Sequence, residues 1–279
     1  MLRQTCCLCA DGQVVHTLPE GLPVYGVTTL GEQLYVLRPK GGADQVEVYD
    51  VISYRLQRYL TVPHARSFTD MTSCEHFLCL YISDYIAQSV HRLDLEGNAT
   101  KWPVSDEPWG LSVNAHHSLV VTCDQVGKIK EFGTHGNLLR VVILPDDVSG
   151  PWHAIQLTSG QFVVCHVDPE HAVHRVCKTS ADGRELVHSH GGQRGSDTGQ
   201  YDGPVRLAVD NNEFVFVVDV NNRRVTLLSP TLDYVRQVVS SELVEWGPNR
   251  LCLDVQRRRL YVADNEVKST AGRVLVFSV

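Results

Sequence analysis

Short apolar runs alternate with brief polar turns along the 279 residues, and the alternation carries a longer period. A turn led by proline opens one apolar strand, a polar turn follows, and a second apolar strand ends, in most copies, on aspartate. The clearest copy runs Gly199-Gln200-Tyr201-Asp202-Gly203-Pro204, through the strand-like 205–210 and 214–219, to Asn222-Arg223-Arg224-Val225. Six copies recur at roughly forty-residue spacing, the length of a four-stranded propeller blade. First strands are predicted to start near Tyr25, Asp70, Trp109, His153, Arg206 and Arg250, after Pro23, Pro63, Pro108, Pro151, Pro204 and Pro248. Second strands are predicted at 34–37, 77–83, 119–123, 162–165, 214–218 and 260–263, all rich in residues that fit a pleated, buried surface. Weaker runs such as 128–132 and 138–143, joined through Gly136-Asn137, supply third and fourth strands. No helix is predicted.

The period breaks at both ends. The sixth copy stops after a third strand at 273–277, while a strand-like segment at about 13–18 stands alone near the N-terminus. One repeat cannot bury its own apolar face, so the copies must pack on each other. The expected fold is therefore all-β: a six-bladed β-propeller forming a single domain over residues 1–279. Its N-terminal strand pairs with the last blade and seals the ring, removing open sheet edges. An extra outer strand is one reading of residues 5–9.

The approach Gly191-Gly192-Gln193-Arg194-Gly195 to Pro204, followed by Asp219-x-x-Asn222-x-Arg224-Val225, resembles the NHL-repeat family of β-propellers. The sixth copy matches in part, at Tyr261-Val262-Ala263-Asp264, and the first four are assigned by spacing. The resemblance implies the propeller architecture over the whole chain. It implies little about activity, because propellers host unrelated functions. If the chain is a fragment of a tripartite-type protein, the resemblance also implies an upstream RING and coiled-coil region.

Composition narrows the function classes. A formal charge of −7 disfavours a general phosphate-binding surface, so DNA is not an expected partner. Hydrophobic content of 43% supports a large core, and no long like-charge run points to disorder. The cysteine count, nine, is odd, and Cys79, Cys123, Cys165 and Cys252 fall inside apolar runs where a thiol behaves as a small hydrophobe. With no secretory signal, this points to a reduced, cytoplasmic protein, and no run of membrane-spanning length points to a bilayer.

Loops entering the first strands and leaving the second strands are expected on one face, around the central channel. An incoming ring of positions, equivalent to within a residue or two, holds Tyr25, Phe68, Trp109, Trp152, Arg206 and Arg250. An outgoing ring holds Arg38, Asp84, Asp124, His166, Asp219 and Asp264. The outgoing aspartates are expected to accept backbone N–H groups in adjoining turns. Arg38 and His166 depart from that pattern and mark positions where something other than turn capping was favoured. Phe68 is expected to pack between blades, while Trp109 and Trp152 fit either such packing or ligand contact. Aromatics on one arc and arginines on another suit an extended peptide bearing an acidic or carboxylate group.

A zinc site needs about three convergent ligands. His153 and His166 share one blade, and His171 and His174 follow near Asp168-Pro169-Glu170 with no aligned partners on other blades. They are read as solvent-exposed loop histidines, and Cys6-Cys7-x-Cys9 as strand cysteines, so neither metal nor cofactor is expected. The leading expectation is a non-enzymatic recognition module for a protein or peptide, using Tyr25, Arg38, Phe68, Trp109, Trp152, His153, His166, Arg206 and Arg250. Single-stranded RNA binding on the same face is the alternative, through stacking and arginine contacts. A metal-dependent lyase or lactonase on a related fold stands third.

Overall fold

The computed structural model describes residues 12–39, 44–63, 67–123, 127–168, 170, 172–266 and 270–279. Frequent turns cut this chain into short strands, numbered here in chain order, and every blade is a four-stranded antiparallel sheet. Five blades are meanders of consecutive strands. The third, for example, is β10 (Pro108–Val113), β11 (Leu119–Cys123), β12 (Lys128–Phe132) and β13 (Leu138–Ile143). The sixth joins the two ends of the described chain: β1 (Gln13–Thr17) pairs with β24 (Gly272–Ser278), which continues to β23 (Arg259–Asn265) and β22 (Pro248–Asp254). The fold is the expected six-bladed β-propeller, sealed by the expected strand. Residues 5–9 lie outside the described residues.

Burial explains the sequence pattern. Second strands have a neighbouring blade on each face, so β7 (Cys79–Asp84), β11 and β19 (Val215–Asp219) are buried at every position. They therefore read as continuous apolar runs rather than alternations. Fourth strands line the circumference, and in β13 the side chains of Leu138, Leu139, Val141 and Ile143 reach solvent.

Several predicted boundaries shift. The second strand of blade two starts at Cys79, not residue 77, because Phe77 and Leu78 belong to an exposed turn with Leu78 in the left-handed region (φ 47°). Pro108, Pro151, Pro204 and Pro248 are the first residues of their strands rather than turn residues before them. A strand start tolerates the missing N–H.

The seam is held by more than the β1–β24 ladder. Leu18, Val24, Val27 and Leu34 pack with Tyr261, Val274 and Val276 in one core shared by blades one and six. The Asn265 carboxamide bonds both the N–H and the C=O of Val24, at 3.0 and 2.9 Å. Leu18 is fully buried there, so Leu18→Ala is expected to lower the unfolding free energy by about 2–5 kcal/mol in urea denaturation. A loss below about 0.5 kcal/mol, within the range of ordinary surface substitutions, would show that the seam does not carry stability.

A plugged channel and the cleft above it

The first strands of the blades surround the axis: β2 (Gly26–Leu30), β6 (Phe68–Cys74), β10, β14 (Pro151–Gln156), β18 (Pro204–Val209) and β22. In the last five, pairing with the second strand slips just after the first residue, between Phe68/Asp70, Pro108/Leu111, Pro151/His153, Pro204/Arg206 and Pro248/Arg250. Such a bulge adds a residue and resets which side chain faces which way. The incoming ring, expected to align within a residue or two, therefore spreads over three levels. Phe68 stands at the strand start, Trp109 and Trp152 at the bulge, and Arg206 and Arg250 one step further in, level with Asp70, Gly110 and His153. Glycine fits the crowded axis in the remaining blades. A Cβ on Gly110 would lie 2.4 Å from the Trp152 carbonyl oxygen, and one on Gly26 2.4 Å from Met71 Cβ.

Asp70, Arg206 and Arg250 meet across the ring. Arg206 Nε lies 3.4 Å from Asp70 Oδ1 and Arg250 Nε 3.7 Å from the same oxygen, while Asp70 Oδ2 accepts the Leu111 N–H at 2.8 Å. These are ion-pair distances rather than well-directed hydrogen bonds for Arg206 Nε. Both guanidiniums also donate to the Thr69 carbonyl, Arg206 additionally to Val205 O, and Arg250 to Tyr25 O and Asn249 O. Arg206, expected on the exposed rim, is thus 2% exposed inside the channel. The plug sets two cations against one carboxylate. Burial, then the neighbouring Arg206, pulls the Arg250 guanidinium down to about 9, with Asp70 opposing.

The outgoing ring latches the incoming loop in the five blades where its residue is described. Asp84 accepts the Ser67 and Ala87 N–H groups at 3.0 and 3.1 Å, Asp219 the Asp202 N–H at 2.8 Å, and Asp264 the Glu245, Trp246 and Gly247 N–H groups. Asp124 lies outside the described residues. At the two departures the latch survives with its polarity inverted. Arg38 donates to the carbonyls of Leu22 and Pro19, and also to Gly272 O in the sixth blade. His166 Nδ1–H donates to Ser149 O at 3.1 Å while its Nε2 accepts from Arg175 Nε at 2.9 Å.

The histidines expected in solvent are buried, because each satisfies main-chain groups. His153 Nε2–H reaches Leu111 O at 3.0 Å, and His174 Nδ1 accepts the Gly203 N–H at 2.7 Å. His171 lies outside the described residues. Desolvation holds both His153 and His166 near 4, so both are neutral at pH 7. Among the described residues no group of three or more His, Cys, Asp or Glu side chains is placed to hold a metal ion. Cys79, Cys123, Cys165 and Cys252 are not in disulfides. Burial pushes Cys165 up to about 12, as for an inert core residue.

Above the plug, on the face of incoming and outgoing loops, a cleft of about 380 Å³ is lined by Tyr25, Phe68, Trp109 and Arg250 from the expected set. Thr69 and Tyr85 line it as well, and sequence reasoning missed both. Tyr85 meets Trp109 edge to face at 5.4 Å, and Trp109 meets Trp152 likewise at 5.0 Å. Phe68 serves both expectations, since it belongs to a blade core and to the cleft wall. Trp152 packs against the cores of blades four to six and does not line the cleft. Acids outnumber bases among the described loop residues of this face, although Lys130, Arg175 and Arg273 pair with Asp106, Asp147 and Glu245.

Because His153 and His166 have folded values below that of the free imidazole, the unfolded chain binds more protons between about pH 4 and 6.5. Their contribution is fully present above pH 6.5 and is lost on acidification, by up to about 1.4 kcal/mol per pH unit for each group. His166→Gln is expected to give a shallower fall in unfolding free energy between pH 6.5 and 5 than the parent chain shows. An unchanged slope would contradict the neutral, buried assignment.

The chain matches no protein-family model and no curated protein sequence. Its backbone is similar to virginiamycin B lyase from Staphylococcus aureus, with TM-score 0.63 and 11% identity over 94% of this chain and 99% of that one. It is similar to hydrazine synthase of Kuenenia stuttgartiensis, with TM-score 0.66 and 16% identity over 95% and 98%. It is also similar to the Cps50 (Swd1) β-propeller domain of Myceliophteria thermophila, with TM-score 0.63 and 12% identity over 96% and 99%. At these identities the likeness carries the propeller fold and no activity.

Proposed function

We propose that this propeller is a non-enzymatic recognition module that captures a protein or peptide segment in the cleft above the plugged channel. The observation that carries the reading is the cleft itself. Three blades send Tyr25, Phe68, Tyr85 and Trp109 to one concave site on the loop-bearing face, and aromatic side chains bury much area at low entropic cost. The acidic rim favours a polypeptide over RNA, whose phosphates it would repel. An NHL-type assignment is part of the proposal. It is supported by Asp219 Oδ2, which accepts from Asn222 Nδ2 at 2.7 Å and Arg224 Nε at 2.8 Å, so the D-x-x-N-x-R residues close on one another.

Selection from a random peptide display library tests the reading. Trp109→Ala is expected to weaken the selected peptides tenfold or more, whereas Leu139→Ala on the circumference leaves them unchanged. Equal capture by the Trp109→Ala chain would contradict the proposed site. Binding of single-stranded RNA at low salt that Trp109→Ala abolishes would replace the peptide reading with its alternative.

A further inference from the structure

We infer that the cleft recognises a carboxylate, held by Arg250 above the channel plug with Trp109 on the same cleft lining. The inference rests on the reading of this face as a recognition surface and names the chemical group it takes.

Charge balance comes first. Arg206 and Arg250 share one carboxylate, Asp70, and the remaining titratable side chain at this level, His153, is neutral. A buried cation without its own counter-ion is costly, and the cost falls when an anion is supplied. The surplus lies toward the cleft, since Arg250 lines it while Asp70 and Arg206 line the channel cavity beneath.

Donor balance comes second. A guanidinium presents five N–H groups. Arg250 gives one each from Nε, Nη1 and Nη2 to Tyr25 O, Asn249 O and Thr69 O, which leaves two for a ligand. On the wall of the same cleft, the Trp109 indole N–H is buried and has no acceptor among the described residues. Unused guanidinium donors on a surplus cation, in a cleft lined by aromatic side chains, match a carboxylate in charge and hydrogen-bond capacity. The acidic rim adds a restriction: a polyanion is repelled, so the carboxylate is carried singly, on an otherwise neutral or basic ligand.

Acetate and its neutral isostere acetamide are the probes, followed through the Trp109 indole ¹H–¹⁵N resonance at constant ionic strength. Acetate is expected to shift this resonance saturably, and acetamide to bind at least about tenfold more weakly. Arg250→Lys, which keeps the charge and loses the fork, is expected to weaken acetate. Comparing the two probes on the parent chain does not depend on how that variant folds. Equal binding of both probes, no response to acetate, or an equal response to chloride would overturn the inference.

Display-selected peptides separate its failure from failure of the recognition reading. C-terminal amidation and replacement of acidic side chains by amides show which source supplies the group, and one of them is expected to weaken binding tenfold. Peptides that bind equally in every form would overturn the carboxylate and leave the recognition face standing. Saturable acetate binding with no peptide selected would support the carboxylate site and overturn peptide recognition.

Discussion

The contact of Asp70 with Arg206 and Arg250 is the constraint on which the rest of this molecule depends. Blades of a propeller otherwise touch only their neighbours, yet this ion cluster reaches from the second blade to the fifth, opposite it, and to the sixth. Removing the acid would leave two guanidiniums facing each other at the axis with backbone carbonyls as their remaining partners. The cluster also closes the channel, which turns what would be a pore into a floored cleft. The glycines at 26 and 110 belong to the same device, since they leave the axis free for longer side chains from the other blades.

A second device holds the face that surrounds the cleft. In five blades the incoming loop is tied to a residue at or near the end of the second strand, so those loops are positioned by the rigid sheet rather than by one another. Where that residue is an acid the loop offers N–H groups, as at Asp84, Asp219 and Asp264; where it is Arg38 or His166 the loop offers carbonyls. In these five blades the position carries a polar group matched to the loop backbone, and either polarity meets the need. Arg38 does more than a carboxylate can at that point, because its length lets it bond the sixth blade across the seam.

The blades, their number and their closure were legible because buried second strands and proline-led starts leave strong signals. The level of each side chain around the axis was not, because a bulge inserts a residue that alternation rules do not anticipate. A usable signal was present in four blades. The residue two places after the strand-opening proline is Gly110, His153, Arg206 or Arg250, and the residue between is Trp109 or Trp152 in two of them. Asp70 escaped that rule because blade two opens its strand on Phe68, not proline, and Pro63 lies too far upstream. Tyr85 was missed for a different reason: it follows the latching aspartate in a turn, where sequence gives no cue to which way a side chain leans. The buried histidines were misplaced because their partners are carbonyls and an N–H of the main chain, which no motif reveals.

A double-mutant cycle across the channel tests the central claim most directly. Asp70→Asn, Arg206→Gln and the double variant are compared by urea unfolding, with blade content followed by circular dichroism. A coupling free energy above about 1.5 kcal/mol is expected for a desolvated pair at this separation. A coupling within a few tenths of a kilocalorie of zero, with all three variants folded, would show that the axis is held by something else.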